Sequence, residues 1–193
     1  MREVVKEKAD APARFFEAEA AGLRWLGEAE ERGGARVARV IEVAAGRIRL
    51  ERVATAPADR DAARAFGRAL ARTHDAGAAA FGAPPNGWDG PLYIGRLAQP
   101  ASAERSWGAF YARDRVEVFL RPAVDAGNLA ADDVPLVERA CAVIADGVFD
   151  DDDPPSRLHG DLWNGNVLWG QEGRVTREMV AASAAGAMGG ASG

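Results

Sequence analysis

Apolar positions along this chain recur in two rhythms, and together they predict short strands near the start followed by a succession of helices. Val4-Val5 is a β-branched pair that ends in Lys6, and it reads as a short strand. Asp10 followed by Pro12 marks a helix start, with a side-chain oxygen for the free N–H groups and a proline pre-set for the first turn. The helix is expected from about Pro12 to Glu31, stopping at Gly33-Gly34. At about 3.6 residues per turn, Phe15, Phe16, Gly22, Leu23 and Leu26 share one side, and Glu19 lies among them. Glu17 falls with Ala13, Arg14, Ala21 and Arg24 on the solvated side. A carboxylate on the inner face needs a partner, because burying an unpaired charge is costly.

Two alternating segments follow, Val37–Val43 and Arg47–Val53, separated by Ala45-Gly46 and expected to pair antiparallel. After Pro57, Asp59 or Asp61 should cap a helix reaching about Ala76, with Phe66, Ala69, Leu70 and Thr73 on its buried stripe. His74 at its end reads as a helix-terminal residue that bonds the last carbonyls. From Gly77 to Pro100 glycine, proline and isolated aromatics (Phe81, Trp88, Tyr93) replace periodicity. Those rings suit either a sugar or simple packing over a helical lobe. Ser102 or Ala103 to Arg121 and Val134 to Val148 read as two further helices, the second with Leu136, Val137, Ala140, Cys141 and Ile144 on one stripe. The acidic run Asp150–Asp153 before two prolines is expected to be a solvated linker rather than a metal site.

Composition narrows the picture modestly. The chain has 193 residues, 48% hydrophobic and 27% charged, as in soluble globular proteins. Its net charge of −5 supplies no basic face for nucleic acid. The single cysteine, Cys141, cannot form an internal disulfide, which fits a reducing cytoplasm. No stretch has the length and apolarity of a membrane span, and no signal-peptide pattern opens the chain.

The chemistry concentrates in Leu158–Trp169. Apolar flanks anchor a polar loop containing His159, Gly160, Asp161 and Asn166. In phosphotransfer, an Asp accepts the proton of the attacking hydroxyl, and an Asn five residues on offers a neutral oxygen to the magnesium bridging the phosphates. The spacing of Asp161 and Asn166 fits, and hard magnesium favours such oxygen ligands. Asp, Asn and Gly also build ordinary surface turns, but the whole twelve-residue string favours the phosphotransferase reading.

With its Leu-Trp after His-Gly-Asp, the string His159-Gly160-Asp161-Leu162-Trp163-x-Gly165-Asn166-Val167 resembles the fructosamine kinase (ketosamine 3-kinase) family, relatives of the aminoglycoside phosphotransferases. Phe16–Leu23, Leu70–His74, Phe81–Pro84 with Gly87-Trp88, and Trp107-x-x-Phe110-Tyr111 resemble the same family. The resemblance implies an α+β, protein-kinase-like fold of two lobes, the C-terminal one mostly helical. It implies ATP and Mg2+ as cofactors and a ketosamine substrate, small or protein-bound, with no nucleic-acid or membrane partner. By position, Lys6 would hold the α and β phosphates and pair with Glu19, while the backbone of Glu51-Arg52-Val53 would meet adenine at the hinge. The segment after Gly77 would lie beneath the substrate pocket. Asp161 would be the base and Asn166 the magnesium ligand.

The family also implies parts this sequence does not show. Five residues before Lys6 cannot form a glycine-rich hairpin, and Asp161 is the last aspartate, so the second acidic magnesium ligand is missing. Glu178 is a poor substitute. The expectation is therefore an internal piece of such a kinase, truncated at both ends, with a tail from a shifted reading frame. Residues 1–53 would form a partial N-terminal lobe, 54–175 the helical lobe with the catalytic loop, and 176–193 a disordered, low-complexity tail that forms no strand. A catalytically inactive binding module, or a kinase for another small alcohol such as an aminoglycoside or choline, are the alternatives. Leu162-Trp163 argues against the last.

Overall fold

The computed structural model describes residues 3–170 and the backbone of 177–179. Strand β1 (Glu3–Glu7) pairs antiparallel with β4 (Arg47–Glu51), and β4 pairs antiparallel with β3 (Val40–Ala44), giving the order β1-β4-β3. Gly46, at φ 73°, turns the chain between β3 and β4.

Helix α1 (Phe15–Gly27) packs across this sheet. Phe16, Ala20, Leu23 and Leu26 from the helix meet Ile48 and Leu50 from β4 and Val37, all 3% exposed or less. Each such large apolar side chain contributes roughly 1.5–3 kcal/mol on burial, so this contact fixes where Glu19 points. The helix starts later than its pattern predicts. Asp10 is drawn into an ion pair with Arg96 instead of capping, and Arg14 stands at the helix start with φ 59° and no side-chain cap. A 3-10 turn (Glu28–Arg32) replaces the last α-helical turn and ends at Gly33, φ 79°.

The expected strand Val37–Val43 is in fact two. Arg36–Val37 forms β2, after which the chain leaves for β3, with an irregularity in the register between Val40 and Glu42. β2 joins β7 (Val167–Trp169) through β8 (Arg177–Met179), in the order β2-β8-β7. β8 runs parallel to β2 and antiparallel to β7. This corrects the expectation of no strand beyond Val175: the unstructured tail set at 176–193 contains three residues in a sheet. The rest of that tail, and the Glu178 side chain, lie outside the described residues.

Helix α2 (Arg60–Asp75) is capped by Asp59, whose carboxylate accepts from the Ala62 N–H at 2.6 Å. Phe66, Ala69 and Leu70 pack against the α1–sheet core, and the Thr73 hydroxyl accepts from the Ala35 N–H at 2.9 Å. The aromatic segment that follows forms a small hairpin, β5 (Leu92–Ile94) with β6 (Leu97–Gln99), laid on α1. Tyr93 Oη donates to the Ala13 carbonyl at 2.8 Å, Arg14 stacks on Trp88 at 4.3 Å, and Phe81 stacks on Phe110. Packing against α1 and Phe110 thus holds these rings in place.

Helix α3 (Trp107–Tyr111), capped by Ser106, runs through a π-helical stretch (Ala112–Glu117) into α4 (Val118–Asp125). Helix α5 (Val134–Ala145) buries Cys141 but leaves Leu136 61% exposed. Its inward stripe is Val134, Val137, Cys141 and Ile144, so Leu136 and Ala140 lie off it. Asp150, read as part of a solvated linker, accepts the Gly108 N–H at 2.7 Å and supports the start of α3.

Candidate active site

β1 and α1 bring Lys6 and Glu19 together: Nζ lies 2.7 Å from Oε1. Glu19 is 3% exposed and Lys6 32%. Burial pushes the Glu19 carboxyl above its usual range, against the opposing pull of the Lys6 ammonium. Within the pair the Lys6 ammonium is only half-buried, a cation of the kind that suits an anionic ligand.

The Leu158–Trp169 loop is fixed from within. Gly160, at φ 80°, turns the chain so that the Asp161 N–H donates to His159 Nδ1 at 3.2 Å. That bond requires Nδ1 to be unprotonated, which makes the ring the neutral Nε2–H tautomer. Burial pulls the His159 pKa down to about 4; Asp161 opposes the shift and the charge of Lys6 adds to it. Lys6 is thus within electrostatic reach of the loop. Asn166, 6% exposed, ends a 3-10 turn (Asn164–Asn166), and its Nδ2 donates to the Asp161 carbonyl at 2.8 Å and to Asp161 Oδ2 at 3.0 Å. Both partners are acceptors, so the amide nitrogen must face Asp161 and Oδ1 is directed elsewhere. Asp161 itself is exposed. A Cβ on Gly165 would meet the Trp163 ring at 2.5 Å, so glycine there lets the indole, 62% exposed, fold over the turn.

The expected hinge is placed differently from the loop residues. The Glu51 carboxylate pairs with Arg36 at 2.7 Å, and its N–H donates to the Arg39 carbonyl at 3.0 Å. Val53 is half-buried just beyond β4. Thr55 bridges Gly170, and the Ala56 N–H donates to the Trp169 carbonyl, so the connection to α2 is stitched to the end of β7.

The donor chemistry suits a nucleotide and, in part, its cation. Lys6 could hold phosphate oxygens, and Asn166 Oδ1 is a hard oxygen donor of the type magnesium takes alongside waters and phosphates. Among the described residues no group of three or more His, Cys, Asp and Glu forms a metal cluster. Sequence reasoning missed Arg157, which is 6% exposed and bonded to α1. A charged residue abutting the apolar anchor of the loop was the available signal.

Comparison with known proteins bears on this geometry. A family model described as fructosamine kinase matches residues 2–179. A Thermus thermophilus protein named a probable ketoamine kinase is 31% identical over 173 residues, covering 89% of this chain and 58% of its own length. An Enterococcus faecium protein of the same description is 32% identical over 91 residues, 47% of this chain and 33% of its own. The crystal structure of a candidate fructosamine-3-kinase from Thermobifida fusca superposes with a TM-score of 0.79 at 38% identity, covering 97% of this chain and 61% of the other. One from Haemophilus somnus, at 19% identity and TM-score 0.76, shares the fold. The chain therefore has the protein-kinase-like fold and spans between a third and about three fifths of these relatives' lengths.

Proposed function

Because the chain belongs to the fructosamine kinase family, we propose that it holds the phosphotransfer centre of an ATP-dependent kinase acting on a sugar hydroxyl of a ketosamine, free or attached to protein. The observation that carries this reading is the 2.7 Å pair of Lys6 with Glu19, the strand-lysine to helix-glutamate contact that positions nucleotide phosphates in kinases. The name of the Thermus relative supports the ketosamine class.

In this reading residues 1–53 are the nucleotide-holding part and 54–175 the helical lobe that carries the loop. Lys6 holds the α and β phosphates, Glu19 orients Lys6, and adenine meets the backbone at the Glu51 carbonyl and Val53. When bound, ATP supplies the phosphoryl group and Mg2+ spreads its charge, with Asn166 Oδ1 as the amide ligand. Asp161 does the proton chemistry. Its Oδ2 is held by Asn166, so Oδ1 accepts the proton as the sugar oxygen bonds to phosphorus and ADP departs. Trp163, 62% exposed, offers an aromatic face on the same loop. A cytoplasmic site of action belongs to the same reading, resting on the lone cysteine; among the described residues no helix is long and apolar enough to cross a membrane.

The test is ADP release from Mg-ATP and a fructosyl-amine by the purified chain, beside Asp161→Asn. Wild type should turn over, and the variant should lose about 10²–10⁴ of the rate while staying folded. Absence of ADP release from folded wild type would sink the reading.

A further inference from the structure

Arg157 stands two residues before His159, with its side chain in the interior. Its Nη1 donates to the Trp25 carbonyl and, at 3.1 Å, to Glu28 Oε2, both at the C-terminal end of α1. Its Nε donates to the Gly77 carbonyl at 3.3 Å, just beyond α2. The guanidinium also lies 4.5 Å from the centre of the Trp25 ring, and the Arg157 N–H donates to the His74 carbonyl at 3.2 Å. The end of a helix leaves carbonyls unpaired and carries partial negative charge, so a cation placed there fills a standing need. A buried guanidinium needs all its acceptors in turn. Each side of the contact therefore enforces the other.

The two halves of the candidate site lie on either side of this contact. α1 carries Glu19, six residues before Trp25, and Glu19 holds Lys6. Four residues beyond Arg157 comes Asp161, locked to Asn166. We propose that Arg157 is a positioning residue: it ties the end of α1 to the root of the 158–169 loop, so that Lys6 and the Asp161–Asn166 pair meet one nucleotide at a fixed separation. The functional half of this proposal rests on the phosphotransfer reading; the tie itself rests on geometry alone. A lysine, with its donors at one point, cannot span the Trp25 carbonyl, Glu28 and Gly77 together, nor stack on the indole as a planar group.

The test compares wild type, Arg157→Met and Arg157→Lys in two measurements. The first is amide hydrogen exchange over residues 15–28, 157–169 and 134–145. The second is equilibrium binding of Mg-ATP and of adenosine, which lacks the phosphates that Lys6 would hold. In Arg157→Met, exchange should rise about tenfold in the first two segments and stay unchanged in the third, as a local opening does. Mg-ATP should bind about tenfold more weakly, a modest loss beside the hundredfold that a ~1 Å misplacement can cost. Adenosine affinity should stay within about twofold, and Arg157→Lys should fall between the other two proteins in both measurements.

Unchanged exchange in folded Arg157→Met overturns the tie. Raised exchange with Mg-ATP affinity unchanged, or with adenosine weakened equally, overturns the positioning role and leaves a structural one. If the Met variant does not fold, Arg157→Lys decides on the same criteria. Failure of wild type to bind Mg-ATP would remove the phosphotransfer reading and the positioning role with it, a result distinct from unchanged exchange, which strikes the tie alone.

Discussion

Lys6 and Glu19 share one short contact but unequal surroundings, and the inequality has a pH signature. Glu19 is nearly inaccessible, so Lys6→Met would leave an unpaired carboxylate inside, at a cost of about 2–3 kcal/mol near pH 7, lowered from the fully buried case because Lys6 is partly exposed. The native carboxyl already sits above its usual range, and removing the ammonium raises it further. A raised carboxyl binds its proton more readily folded than unfolded, so stability is gained below the folded pKa and lost as pH rises through it. The deficit of Lys6→Met should therefore shrink between pH 7 and pH 5 in urea unfolding. His159 runs the other way. Its pKa of about 4 lies below the ordinary 6.5, so its contribution is complete above pH 6.5 and is lost as pH falls toward 4, about 3 kcal/mol in all. His159→Asn keeps an acceptor for the Asp161 N–H and cannot titrate. The acid limb of its stability curve should be flatter by about that amount.

At the scale of elements, the crossing of α3 and α5 is decided by one missing side chain. A Cβ on Gly108 would lie 2.0 Å from the Ile144 carbonyl oxygen, a backbone atom that cannot swing away. Gly108→Ala should cost about 3 kcal/mol or more in urea unfolding. Gly67→Ala, in α2 with no heavy atom within 4 Å of the new Cβ, should be stabilising by about 0.5–1 kcal/mol. The same contrast separates what could be read from the chain and what could not. Helix α2 was legible to within two candidate caps, Asp59 and Asp61, because the Ala62 N–H that Asp59 accepts is only three residues away. The start of α1 was not, because Asp10 is claimed by Arg96, 86 residues later. Asp150 escaped for the same reason: Gly108, its partner, lies 42 residues back. Within the candidate site, Glu19 was placed by helical period and its partner by family position. The Asp161–Asn166 lock lay inside a single motif, while the role of Arg157 depends on helix ends that no local pattern brings together.

At the scale of the whole molecule, the chain is closed by sheets rather than by its helices alone. The β1-β4-β3 sheet is built from neighbouring segments and backs α1, whereas β2-β8-β7 gathers residues from both ends of the matched region. The sequence reading found β3 and β4 because they alternate around a glycine turn, and missed β8 because three residues carry no usable period. Its partner β2 was hidden for a related reason, as the head of what looked like one continuous strand.

That sheet also has a consequence in time. Arg36 and Glu178 lie roughly 140 residues apart in the chain yet stand opposite each other. At ordinary rates of synthesis, about ten to thirty seconds separate their emergence from the ribosome. Until then the edge of β2 has no partner in β8, and the loop that must close spans most of the given chain, an entropic toll that slows late pairing. The 158–169 loop, whose own strand β7 depends on the same partner, is consequently assembled later than the β1-β4-β3 sheet.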